Sequence, residues 1–376
     1  MPEIIPSIAC NLDVNILTAA LPLLSESRVG GIEWAFDTLY QVNEVPDWFT
    51  DLLAAYSAEG RLVGHGVFFS LFSGRWTSEQ QKWLNELTQL SARYHFDHVT
   101  EHFGFMTGKS FHHGAPLNVP YSKTTLAIGQ DRLTRIYDAC GCPVGLENLA
   151  FSYTLDEVKD HGEFLDRLVE PVNGFVILDL HNLYCQLHNF SVDFDTIISL
   201  YPLDRVREIH ISGGSWEDSL FSNRKVRRDT HDSAVPKEVF DLLKLAIEKC
   251  PNLKYVVLEQ LGTGLKSDNS KTAYYQDFLK MESIVKKENK KRLPFTIHSF
   301  LPVNPIYPGV VLEDEQLYLQ QLQLSSILDS ALSYQDAAEQ LAASTLANSE
   351  WKIEGWEPHM LDTAIKIAQK WKAPSL

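Results

Sequence analysis

At 376 residues the chain has room for one large barrel with an appendage or for two ordinary domains, and 44% apolar with 22% charged residues is ordinary for a globular protein. A formal net charge of −16 argues against an extended nucleic-acid footprint, which needs a basic face, and no apolar run approaches the roughly 18 residues of a membrane span. The five cysteines (Cys10, Cys140, Cys142, Cys185, Cys250) make neither a disulfide framework nor a paired zinc knuckle, and the acidic N-terminus lacks the basic start of a signal peptide, so the expected location is the cytoplasm.

Short β-branched or apolar runs predict strands near residues 4–10, 30–36, 61–67, 97–103, 143–149, 174–181, 206–212 and 254–260. Helical spacing of apolar residues lies between them, as in Ser78–Tyr94, Lys123–Ala139 and Leu155–Val169. Pro236 is expected in a first helical turn, and a last barrel helix is expected from about Lys271 to Lys291. Strand–helix alternation implies parallel strands with right-handed crossovers, and eight units in this length predict a (β/α)8 TIM barrel over residues 1–300. No G-x-G-x-x-G follows the first strand, so a dinucleotide fold has no support. Pro302, Pro305, Pro308 and Gly309 mark a linker. A C-terminal helical extension completes residues 301–376, with helices expected at Glu313–Ser330, Tyr334–Asn348 and Glu357–Trp371.

Potential metal ligands stand at the predicted strand ends. His65 ends the third, Glu101-His102 the fourth, Glu147-Asn148 the fifth, Asp179-Leu180-His181-Asn182 the sixth and His210 the seventh. Asp229-Thr230-His231 follows in the next loop, and Glu259 ends the eighth strand. In such barrels this rim carries the chemistry. A single acid or histidine there is an ordinary hydrogen-bonded group. The whole set, buried around one mouth without counter-ions, would cost several kcal/mol per charge, a cost that bound cations remove. Asp229 and His231 are spaced i, i+2, so an extended segment turns both to one face. With no cysteine in the set, nitrogen and oxygen ligands suit iron, manganese or zinc, and their number implies two or three ions with Glu147 as the bridge. His181 is open between ligand, substrate contact and support for a ligand. His188 is expected to be structural or substrate-facing, and Cys185 to be core. His112-His113 is set aside. Arg224, Lys225, Arg227 and Arg228 form a small basic cluster, either a solvated loop or a phosphate pocket.

The ligand order resembles the trinuclear zinc site of endonuclease IV and its xylose-isomerase-like relatives. The local wording is closer to the multinuclear non-heme iron-dependent oxidases. Gly64-His65-Gly66-Val67, Ser70, Glu101-His102, Leu146-Glu147-Asn148, Leu178-Asp179 with Asn182 and Tyr184, Glu208-Ile209-His210 with Gly213, and Asp229-Thr230-His231 look like that family's motifs. The resemblance covers roughly residues 5–265. It implies His65, His102, Glu147, Asp179, Asn182, His210, Asp229, His231 and Glu259 as metal ligands, with Glu147, Asp179 and His210 central to catalysis. Endonuclease IV has histidine where this chain has Asn182, so the third site, of Asn182, Asp229 and His231, is expected to hold its ion less firmly. His181 beside Asn182 departs from the Asn-Asn pair common in the oxidase family.

The resemblance implies oxidation by dioxygen at iron in mixed Fe(II)/Fe(III) states, acting on a residue, usually cysteine, of a ribosomally made precursor peptide in natural-product biosynthesis. A separate peptide-recognition protein is a possible partner. Zinc or manganese are the alternative metals, and an endonuclease IV-like hydrolase or a sugar isomerase the alternative activities. A non-catalytic scaffold whose tail binds a partner is a further alternative. The amphipathic tail, with Leu317, Leu324, Leu328 and Leu332 on its stripes, is expected to bury them against the outer helices, with Trp351, Trp356 and Trp371 filling the contact, or to form a peptide groove over the mouth.

Overall fold

The computed structural model describes residues 3–40, 42, 44–107, 114–221, 223–292 and 298–370. Eight parallel strands close a barrel in sequence order: β1 (Ile5–Ala9), β2 (Gly31–Ala35), β3 (Leu62–Gly66), β4 (Phe96–His102), β5 (Val144–Glu147), β6 (Phe175–Asp179), β7 (Val206–Ile211) and β8 (Tyr255–Leu258), which pairs back with β1. Each lies within a predicted strand or one residue outside it. The helices that follow them are α1 (Val14–Ser25), α2 (Asp47–Ala58), α3 (Ser78–Arg93), α4 (Lys123–Cys140), α5 (Leu155–Val169), α6 (Leu180–Phe190), α7 (Lys237–Lys249) and α8 (Asp268–Asn289).

Local chemistry sets the helix ends. Thr77 and Gln80 form a capping box at α3, Ser122 and Thr125 form another at α4, and Gly141 closes α4 with φ 64°, a conformation in which a side chain would be strained. Pro236 is the N-cap of α7, with ψ 157°, one position before the first helical turn expected for it. The short α6 begins where β6 stops: Asp179 is its N-cap, its carboxylate accepting from the Asn182 amide at 2.5 Å. One of the expected ligands therefore also starts a helix.

Side chains alternate along each strand, so every second residue points into the barrel. The outward set, including Ile32, Trp34, Val99, Leu146, Leu178, Ile209 and Val256, packs on the helices in one continuous core. Each large apolar side chain buried there contributes on the order of 2 kcal/mol. Inside, Val63, Tyr255 and Val257 form one apolar cluster, and Phe175, Ile177 and Phe300 form another. Above these the interior turns polar, with His98, Thr100, Glu208, His210 and Glu33 all buried.

The tail comprises α9 (Glu315–Ser330), α10 (Tyr334–Ala342) and α11 (Pro358–Lys370). It rests on the loops at the C-terminal ends of the strands. Asp314 N–H donates to Gly74 O, and Gln321 bonds both Gly74 N and Phe72 O in the loop after β3. Trp351 meets Phe105 after β4, and Trp356 stacks on Tyr153 after β5 at 3.6 Å. Lys366 reaches Glu217 in the hairpin Ser215–Glu217/Val226–Arg228 that follows β7. Leu317, Leu324 and Leu328 are buried as expected, whereas Leu332 lies past the end of α9 and is 93% exposed. The second tail helix stops at Ala342, short of the expected Asn348, because Gln323 Oε1 accepts from both Thr345 N–H and its hydroxyl and turns the chain. Trp371 lies outside the described residues.

Candidate metal centre

The barrel register brings the expected residues together. His102 stands opposite Glu147 across β4–β5, and Asp179 opposite His210 across β6–β7. Glu147 lies between two groups. Its Oε2 is 3.6 Å from His65 Nε2 and 3.4 Å from His102 Nε2, and its Oε1 is 3.9 Å from His210 Nδ1. His210 Nδ1 lies 3.2 Å from Glu259 Oε2. Among the described residues three sets of potential ligand atoms result, His65/His102/Glu147, Glu147/Asp179/His210/Glu259 and, deeper, Glu33/Glu208/His210, each with its atoms within 4.8 Å of one another. Glu147 joins the first two and His210 the last two.

Neighbouring groups fix which ring nitrogen faces the mouth. Thr100 donates its hydroxyl proton to Gly64 O at 3.3 Å, so the oxygen is free to accept from His65 Nδ1–H at 2.8 Å. His102 Nδ1–H donates to Gly66 O at 3.0 Å. Both rings are left with an Nε2 lone pair turned to Glu147, the form in which imidazole binds a cation. Asn148, the residue after Glu147, clasps the end of β6 by bonding both Asp179 N–H and Asp179 O.

Asp229 and His231 stand apart from those three sets and pair with each other and with His181, while Asn182 is tied to Glu147. Asp229 Oδ1 is 2.8 Å from His231 Nε2 and 2.9 Å from His181 Nδ1. The pair converges by another route than an extended segment, since His231 takes φ 50°. Asn182 donates to Glu147 Oε1 at 3.1 Å and leaves its own Oδ1 buried and unpartnered. His181 resolves as a support for Asp229: Arg227 Nε–H donates to its Nε2 at 3.0 Å, so its Nδ1–H is given to Asp229 and no lone pair remains for an ion. Gly214 allows the β7 hairpin to fold over that ring, because a Cβ there would sit 2.2 Å from Arg228 O and 2.6 Å from His181 Cε1. The basic cluster divides, Arg227 and Arg228 being built into the hairpin while Lys225 and Arg224 lie at the surface. Arg227 holds His181, Arg228 pairs with Glu217, Lys225 with Asp218, and Arg224 bonds Ser191 and His188.

Burial dominates the electrostatics. It holds the Glu147 carboxyl well above the usual range, helped by Glu259, Asp179 and Asp229, and it raises Asp179 to about 7 with Asp229 and Glu259 beside it. The same burial keeps His65 and His102 below the ordinary imidazole value, hence neutral. His210 is driven well above it despite burial, by Glu259 and Glu33. A ring of this kind balances its charge either with protons or with cations. The donor set fits cations: among the described residues Asp179 Oδ2 and Asn182 Oδ1 are buried without hydrogen-bond partners beside Glu147, Glu259 and His210.

Sequence reading missed the layer beneath. Glu33 on β2 lies 3.0 Å from His210 Nε2, and Glu208 on β7 lies 3.5 Å from it. His98 and Thr100 complete that layer. The signal was present in the strand period: His98, Thr100 and His102 share one face of β4, as Glu208 and His210 share one face of β7. Glu101, adjacent to His102, takes the opposite face and accepts from His102 N–H. His188 lies at the rim with its ring against Trp216, Cys185 is buried, and His112-His113 fall outside the described residues.

A family model described as RiPP precursor modification enzyme MbnB/TglH/ChrH matches residues 40–261, a span that contains every residue of the ring. The chain belongs to this family. Among curated relatives, a UPF0276 protein of Chromobacterium violaceum is 31% identical over 153 residues, 40% of this chain and 53% of that protein. Another, of Acaryochloris marina, is 28% identical over 188 residues, 49% of this chain and 64% of that protein. The chain thus spans between about half and two thirds of the length of these relatives. Among solved structures, an L-ribulose 3-epimerase aligns over 77% of this chain and 99% of its own with TM-score 0.49 and 13% identity. The IOLI protein with a binding zinc atom aligns over 75% and 98%, with TM-score 0.46 and 15% identity.

Proposed function

We propose that the chain is an oxidase that uses dioxygen and two or three iron ions to modify a residue, cysteine in our reading, of a ribosomally made precursor peptide. The observation that carries this is the ring itself: neutral His65 and His102 and the carboxylates of Asp179 and Glu259 gathered about a shared Glu147, in a chain whose family modifies such peptides.

His65, His102 and Glu147 would hold one ion, and Glu147, Asp179, His210 and Glu259 a second. Asn182, Asp229 and His231 would hold a third, nearer the rim. When bound, iron supplies one-electron chemistry and open positions for substrate sulfur and for dioxygen. The protein's own part is placement. Thr100 and Gly66 O keep both Nε2 lone pairs on the mouth, Asn148 fixes the Asp179 backbone, and His181 with Arg227 holds Asp229. Tyr184, His188 and the half-exposed Trp216 offer an aromatic face at the rim for an incoming peptide. The hydrolase alternative is weakened because Arg227 and Arg228, the inner members of the basic cluster, are already held by His181 and Glu217.

The test is turnover. Anaerobically purified protein loaded with ferrous iron would be given a cysteine-containing precursor peptide encoded beside its gene. On admitting air, the account expects oxygen uptake and a change in peptide mass. Turnover by the zinc-loaded protein under argon would overturn it and favour hydrolysis.

A further inference from the structure

His210 is flanked by carboxylates on both ring nitrogens. Glu259 Oε2 and Glu147 Oε1 face Nδ1 at 3.2 and 3.9 Å, while Glu33 Oε2 and Glu208 Oε1 face Nε2 at 3.0 and 3.5 Å. A neutral imidazole has one N–H and one lone pair. If a cation takes the lone pair, the opposite side must keep the proton, and the residue that holds the proton decides which nitrogen faces the ion.

The two carboxylates at Nε2 are not equivalent. Glu208 already accepts from His98 Nε2 at 2.6 Å, and His98 Nδ1 meets Asp97, which Arg207 and Lys254 neutralise at the foot of the barrel. Glu33 has no such chain behind it. The ring nitrogens it faces are His210 Nε2 and, at 3.9 Å, His65 Nδ1, and the latter is engaged by Thr100. Glu33 is 2% exposed on the inward face of β2, between Gly31 and Ala35, whose small size leaves its carboxylate room beneath the ring. It also lies outside the segment matched to the family.

We infer that Glu33 is a positioning residue that acts on the metal centre through His210, holding the Nε2 proton so that the Nδ1 lone pair is turned to the mouth. This rests on the metal reading proposed above. A carboxylate on the distal nitrogen fixes the ring and makes it a stronger ligand, and loss of such a partner typically lowers metal affinity 10- to 100-fold.

The test compares wild-type protein with Glu33→Ala and Glu33→Gln, using zinc affinity by chelator competition and the visible bands of the cobalt(II)-loaded protein. The alanine variant should bind zinc roughly 10- to 100-fold more weakly, with shifted cobalt bands. Glutamine can still accept from Nε2–H but carries no charge. Recovery of the cobalt bands in that variant, with full or partial recovery of affinity, supports the inference. If both variants match wild type in affinity and spectrum, the inference is wrong. A wild-type protein that binds neither zinc nor cobalt sinks the metal reading and this inference with it. Circular dichroism melting checks folding, and where the alanine variant does not fold, Glu33→Leu, which keeps the volume but cannot accept the proton, takes its place: weaker zinc binding with shifted bands supports the inference, and wild-type affinity with unchanged bands overturns it.

Discussion

Glu147 touches both halves of the ring, one carboxylate oxygen toward His65 and His102 and the other toward His210 and Asn182. In metal-free protein its charge is opposed by burial and by three neighbouring carboxylates. Glu147→Gln should therefore raise the melting temperature of the metal-free protein, by about 2 °C, while removing the further rise that metal brings. Calorimetry with and without added metal checks both signs. Asp229→Ala should lose the outermost ion and keep the other two; a variant that empties completely would contradict the division of the site. Protons give a further expectation. The carboxyl of Asp179, raised from 3.8 to about 7, stays protonated in the folded, metal-free chain across a window where the unfolded chain has lost that proton. The stability this gives the metal-free protein is present at low pH and is lost as pH rises from about 4 through 7. A cation must expel the same proton, so metal affinity should weaken as pH falls below 7, and titration calorimetry in buffers of different ionisation heat should detect proton release at pH 6.5. Sequence made the nine proposed ligands legible because eight of them end the inward face of a strand or lie just beyond it, and Asn182 stands in the first turn of α6. It left His181 open because a ring's role depends on who binds its other nitrogen, and Arg227 is far from it in the chain.

The strands read clearly because each is a short apolar run between turns, and their inward faces carried the ligand positions with them. What pattern could not supply was where the tail settles. Leu317, Leu324 and Leu328 of α9 are buried, with α10 and α11 packed against that helix, and the tail meets the rim loops through Gln321, Trp351, Trp356 and Lys366. The aromatic contact between Trp356 and Tyr153 anchors the tail to the loop after β5. Trp356→Ala should cost about 3–5 kcal/mol of local stability by leaving a large cavity, and should lower the melting temperature with metal content unchanged. A loss of metal in that variant would mean the tail helps shape the ring, and metal analysis beside a thermal melt decides it. A chain ending at Leu301 keeps every proposed ligand but uncovers Tyr153, Phe105 and Phe72, so it is a poorer test of the same point.

At the scale of the molecule, the net charge of −16 and a mouth lined by carboxylates favour cations over anions at the centre, and Arg227 and Arg228 near it are held by His181 and Glu217. Fold and family follow from the barrel topology and from the match over residues 40–261. The metal, its identity and the peptide chemistry rest on the ring. The most direct measurement is the metal content of protein purified without oxygen, wild type beside Glu147→Ala. The account predicts two or three equivalents of iron per chain in the wild type and less than about one in the variant, because the shared ligand serves both inner ions. Wild-type protein without metal, or equal metal in the two proteins, would contradict it.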